Sequence, residues 1–139
     1  MEDYFDLHLP EDQIRAISSI GLAHLGDAVY ELLARAWLCA HGRATGRGLH
    51  RAAVELVKAP AQAERAEKIL PLLTEEELAV FKRGRNAHVH TVPHSASRAD
   101  YLRATALECL LGYLYLNGRR ERINTLFTAM MEEGENHAT

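Results

Sequence analysis

Residues 104–116 read ATALECLLGYLYL, and within this run Glu108 is the only charged side chain. A segment apolar on every side cannot lie at a helix–water boundary, so it predicts a helix buried nearly all round at the centre of a helical core. The helix starts at about Arg98 and stops at Asn117-Gly118, a C-terminal signal. Burying an unpaired carboxylate costs several kcal/mol unless it is neutralised, hydrogen-bonded or bound to a metal. At about 100° per residue, Glu108 lines up with Tyr101, Ala104, Thr105, Gly112 and Tyr115. This strip is partly of small and hydroxylated groups, suited to border a cleft.

Outward from this segment, periods near 3.6 residues recur from end to end, and no stretch alternates at period two for long enough to make a strand. The fold class read from the pattern is all-α. A short helix runs from Pro10 to about Ser19. Gly21 opens a longer one, with Leu22, Leu25, Val29, Leu32, Leu33, Ala36 and Ala40 as its apolar stripe, ending at His41-Gly42. A third helix carries Leu49, Ala52, Ala53, Leu56 and Val57, and Pro60 begins a fourth that reaches Leu70. Thr74 followed by Glu77 is a capping box that announces a helix into Lys82 and Arg83. Residues 84–97 have no period and read as a long loop, and Glu121–Glu133 forms the last helix. Without a repeat or linker, one domain is expected over residues 1–139.

The chain has 139 residues, 47% hydrophobic and 25% charged, and a formal net charge of −3. That balance excludes a global positive field, so any nucleic-acid contact must come from a local patch. Cys39 and Cys109 lack zinc or redox spacing and are expected to be reduced, buried thiols. The acidic start MEDYFDLHLPED has no basic region leading into an apolar one, and no stretch approaches the roughly 20 apolar residues that span a bilayer. The expectation is a cytoplasmic protein without membrane association.

Asp27 sits opposite the main stripe of the second helix, in line with Ala23, His24 and Glu31. Its alanine-rich surroundings, Ala23 and Ala34 included, allow another helix to approach. Hard oxygen ligands from two helices suit magnesium, with waters and substrate phosphate completing its octahedron. Such an ion polarises a phosphodiester and activates a water for attack. Periodicity alone leaves structural alternatives open: a hydrogen bond or buried ion pair for Glu108, for instance to Arg35 or Arg103, and a solvated position for Asp27.

The strings themselves narrow the choice. IGLAHLGDAVYELLAR around Asp27 resembles the signature helix of the ribonuclease III family, where a Leu-Gly-Asp-Ala-Val run carries an aspartate. RATALECLLGYLYLNG resembles the later helix of that family, and RGRNAHVHTVP at Arg83–Pro93, followed by Tyr101, is similar to its mini-ribonuclease III branch. The resemblance covers about Ile20 to Gly118. It implies an all-helical endonuclease domain that forms a homodimer and cleaves double-stranded RNA with Mg2+, leaving 5′-phosphate and 3′-hydroxyl ends. For this branch the implied substrate is the paired stem of the 23S ribosomal RNA precursor. Asp27 and Glu108 match the family's catalytic, metal-binding aspartate and glutamate. Larger members carry further acids where this chain has Ile20, Ala23 and Thr105, so the site resembles the sparser one of the mini branch. Only about 20 residues follow Gly118, which implies that the catalytic domain alone holds the substrate. A non-catalytic RNA-binding or ribosome-assembly module with the same fold is the competing expectation.

For RNA contact, Lys82, Arg83, Arg85, Arg98 and Arg103 oppose the single acid Asp100 beside the long loop. Arginine forks suit phosphate oxygens, and duplex RNA is read mainly by shape. Lys82, Arg83, Arg85, Asn86, His88 and His90 are therefore the candidate RNA-binding residues. His88, His90 and His94 lack a structural zinc spacing and are read as polar loop residues.

Overall fold

The central element is the helix built on residues 104–116. In the computed structural model, which describes residues 1–42, 46–87 and 97–132, it runs Arg98–Leu116 and is labelled α6. Around it in chain order stand α1 (Glu11–Arg15), α2 (Ser19–Ala40), α3 (Gly46–Val57), α4 (Ala59–Ile69), a 3-10 turn at Leu70–Leu72, α5 (Glu75–Arg85) and α7 (Arg120–Met131). No strand occurs among the described residues, so the all-α class holds. Four helices, α2, α4, α5 and α7, pack directly on α6. Leu107, Leu110, Leu111 and Leu114 are fully buried there, each stabilising the fold by about 1.5–3 kcal/mol.

Helix ends follow local chemistry. The Ser18 hydroxyl accepts a hydrogen bond from the Gly21 amide at 3.0 Å, so α2 begins at Ser19, two residues earlier than the glycine suggests, and α1 ends at Arg15 rather than near Ser19. The capping box of α5 forms as expected: Thr74 accepts from the Glu77 amide at 3.2 Å, and Glu77 accepts from the Thr74 amide at 2.9 Å. Glu77 is almost fully buried and also receives both a 2.8 Å Nε and a 2.8 Å Nη2 bond from Arg122 of α7. The same Nη2 also donates to the Leu72 carbonyl at 2.8 Å. This pair ties the start of α5 to α7, and the Arg122 bonds hold the Glu77 carboxyl below the usual carboxylate range.

The face that α2 buries departs from the leucine stripe. Leu22, Ala23, Gly26, Val29, Tyr30, Ala34 and Leu38 are buried, whereas Leu32 is 59% exposed and Ala28, Ala36 and Ala40 face outward. The cause lies at two glycines. A Cβ on Gly26 would overlap the Glu108 carbonyl oxygen and come within 2.9 Å of the Glu108 Cα; one on Gly112 would overlap the Leu22 carbonyl oxygen. The helices meet main chain to main chain, and that contact outweighs the leucine count in setting the rotation of α2. The same rotation exposes Cys39, correcting its expected burial, while Cys109 is buried as expected. Among the described residues, no helix is long and apolar enough to cross a membrane.

Candidate active site

Asp27 follows Gly26 directly, so the glycine contact that draws α2 onto α6 also delivers the aspartate to Glu108. Both line a cleft of about 280 Å³ whose wall is completed by Tyr101, Ala104 and Thr105 of α6 and by residues 57–60 and Gln62 at the α3–α4 junction. Asp27 is exposed on the cleft's side of α2 and Glu108 is half-buried. The strip read from α6 is thus largely the cleft wall: Tyr101, Ala104, Thr105 and Glu108 line it, while Gly112 is consumed by the contact with α2. The Thr105 hydroxyl donates to the Tyr101 carbonyl at 2.9 Å.

The electrostatics of the pair are unbalanced. Burial first, and the neighbouring Asp27 carboxylate second, push the Glu108 carboxyl up to about 8, against a smaller opposing effect of a Gln62 hydrogen bond. Of the structural alternatives, the hydrogen bond is present, since Gln62 donates to Glu108 at 3.2 Å, but neither arginine supplies an ion pair. Arg35 bonds Glu31 at 2.5 Å and Arg103 bonds Glu67 at 3.0 Å. Among the described residues, no ion pair reaches Asp27 or Glu108. Two adjacent carboxylates, one obliged to keep its proton near neutrality, form a donor set that a divalent cation fits: hard oxygens, a local excess of negative charge, and an open cleft for waters. Among the described residues no cluster of three or more His, Cys, Asp or Glu side chains occurs, so protein ligation of an ion here is sparse, as the substitution of Ala23 and Thr105 for acids suggests.

Among the described residues lining the cleft, Lys58 is the one basic residue, with its Nζ 2.6 Å from Glu55 Oε2. Lys82, Arg83, Arg85 and Asn86 do not line it. They are exposed at the C-terminal end of α5, where Gly84 packs against Cys109 and Ala106 of α6. His88 and His90 lie outside the described residues.

Lys58 and Gln62 escaped the sequence reading. Gln62 carried a readable signal, because it stands at helical spacing from Ala59, Ala66 and Ile69 on the apolar face of α4. A polar residue in that register is buried only with a reason.

Comparison with known proteins bears on the family and the fold. The family model described as Ribonuclease III domain matches residues 21–119, from α2 to just beyond α6. The Mini-ribonuclease 3 of Symbiobacterium thermophilum is 45% identical over 108 residues, covering 78% of this chain and 83% of that protein. That of Brevibacillus brevis is 49% identical over 102 residues, covering 73% and 76%. A crystal structure of a protein from Fusobacterium nucleatum superposes with a TM-score of 0.76 at 32% identity, over 84% of this chain and 94% of that one. With a match of this extent spanning both carboxylate-bearing helices, the chain belongs to the ribonuclease III family and is an endoribonuclease.

Proposed function

We propose that the chain is a magnesium-dependent endoribonuclease acting on double-stranded RNA, with Asp27 and Glu108 as its catalytic, metal-binding carboxylates and the paired stem of the 23S ribosomal RNA precursor as its substrate. The observation that carries the reading is the Asp27–Glu108 couple, reached by no ion pair among the described residues and brought together by the main-chain contact at Gly26. Several relatives named Mini-ribonuclease 3 support the choice of branch.

When bound, the ion supplies a Lewis acid for the phosphodiester and a water acidic enough to attack phosphorus, leaving 5′-phosphate and 3′-hydroxyl ends. The chain's own residues hold and orient. Glu108, once deprotonated, and Asp27, exposed on the cleft's side of α2, would hold the ion. Lys58, which lines the same cleft, would meet a phosphate oxygen by leaving Glu55. The exposed Lys82, Arg83, Arg85 and Asn86 at the end of α5, with His88 and His90 beyond, contact the sugar–phosphate backbone of the duplex rather than bases.

The reading includes a single catalytic domain over residues 1–139 that works as a homodimer, one site per protomer. The outward strip of Ala28, Leu32 and Ala36 on α2 is the apolar surface that a second copy would cover.

The deciding experiment incubates a labelled precursor stem with the chain, with and without magnesium, and maps the ends. Glu108→Gln and Asp27→Asn should each abolish cutting while leaving folding and duplex binding in place. If both variants still cut in magnesium, the assignment of these two residues fails.

A further inference from the structure

Gln62 is only 3% exposed, and it is one of three buried polar or charged side chains among the described residues. The other two are satisfied: Glu77 by its cap and Arg122, Thr105 by the Tyr101 carbonyl. Gln62 is satisfied on one end only. Its Nε2 donates to the Val57 carbonyl at 2.8 Å and to Glu108 Oε2 at 3.2 Å, which uses both amide hydrogens, while its Oε1 is buried without a partner. Because the Val57 carbonyl can only accept, the amide cannot be turned over without losing that bond.

An amide oxygen buried without a partner costs about 1–3 kcal/mol. An apolar side chain on this face of α4 would avoid that cost and pack against the same alanines. The carbonyl it satisfies belongs to the last residue of α3, and helix-terminal carbonyls find other partners readily. The bond that an apolar residue cannot replace is the one to Glu108. A carboxylate on a long, three-torsion side chain in an open cleft would otherwise be free to turn. A strut fixed at the α3–α4 junction removes that freedom.

We propose that Gln62 is a positioning residue for Glu108: its amide pins the Oε2 oxygen to the α3–α4 junction and leaves Oε1 as the oxygen that takes the divalent ion. The proposal rests on the reading of Glu108 as a metal ligand. It adds a third helix to the site, with α4 orienting a ligand carried by α6, and assigns to an uncharged residue part of the role that extra acids would play in a fuller site. Ligand-orienting partners of this kind typically contribute about 10–100-fold in metal affinity.

The test compares the full-length wild type with Gln62→Met, which keeps length and flexibility but removes the amide. Mn2+ and Mg2+ affinities are measured by calorimetry without RNA, together with kcat and KM on a duplex stem across metal concentrations. The expected result is native circular dichroism, a Tm equal to or above wild type, a metal Kd raised about tenfold or more, an RNA KM within about twofold of wild type, and a kcat recovered by raising the metal concentration. Wild-type metal affinity and wild-type metal dependence of kcat in Gln62→Met overturn the proposal. If Gln62→Met fails to fold, Gln62→Leu carries the same comparison. Glu108→Gln separates the two levels. Loss of metal binding in Glu108→Gln with none in Gln62→Met sinks only the positioning role, whereas metal binding unchanged in Glu108→Gln sinks the metal-site reading beneath it.

Discussion

Gly26 lies against the main-chain carbonyl of Glu108 with no room between them for a side chain. Any Cβ there must push α2 away from α6, and since Asp27 is the next residue, the two carboxylates separate with the helices. Gly26→Ala is therefore expected to destabilise the protein by about 2–4 kcal/mol and to reduce cleavage at least 100-fold even at temperatures where it stays folded. Gly112→Ala, opposite the Leu22 carbonyl, should behave alike. Urea unfolding and single-turnover cleavage measured side by side would test this; full activity in a folded Gly26→Ala variant would refute it.

The raised pKa of Glu108 sets a pH dependence in the metal-free protein. Below the unfolded-state value of about 4.3, both states carry the proton and the group contributes nothing to stability. As pH rises toward about 8, the unfolded chain loses the proton while the folded one keeps it, so stability falls; above that the full cost is reached. Allowing for partial exposure, the cost is on the order of 2–4 kcal/mol. In chelator, Glu108→Gln should thus be more stable than wild type, with the advantage growing from about pH 5 to about pH 9. A stability difference independent of pH would rule this out.

Much of the cleft's lining was legible in the sequence. The run at 104–116 leaves a helix no solvent face, so α6 and the oddity of Glu108 follow from hydropathy alone. Asp27 drew attention through the Leu-Gly-Asp-Ala-Val string, since its helical register is ordinary. The rotation of α2 was misread because hydropathy ranks Leu32 above Gly26, whereas burial there is chosen by how closely two main chains approach. Cys39 went outward for the same reason. The ends of α1 and α2 shifted because the Ser18 cap, rather than Gly21, starts the second helix. Gln62 was passed over because it sits among alanines that look like filler.

The basic end of α5 makes a prediction about salt. If Lys82, Arg83 and Arg85 contact phosphates, Arg85→Ala should weaken duplex binding uniformly across sequences and lower the slope of log K against log salt by about one. Its kcat at saturating RNA should be near wild type. Filter binding over a range of salt concentrations measures the slope, and an unchanged slope would remove Arg85 from the contact surface.

Leu32 is the more exposed of two large apolar side chains, with Ile20, that α2 leaves outside. Leu32→Glu in a homodimer that covers this strip should sediment as a monomer, with duplex cleavage much reduced and the helical circular dichroism kept. Wild-type sedimentation by the variant would place the dimer contact elsewhere.

Asp27 and Glu108 stand more than half of the chain apart in sequence, and only the packing of α2 on α6 makes them neighbours. An unfolded chain therefore offers no paired site, and any ion held by the two binds the folded form alone. Ion concentration then becomes a stabiliser in its own right, worth about 2.7 kcal/mol at a hundred times the dissociation constant. If the pair holds the ion as proposed, chelator should lower the melting temperature of the wild type and leave that of Glu108→Gln unmoved.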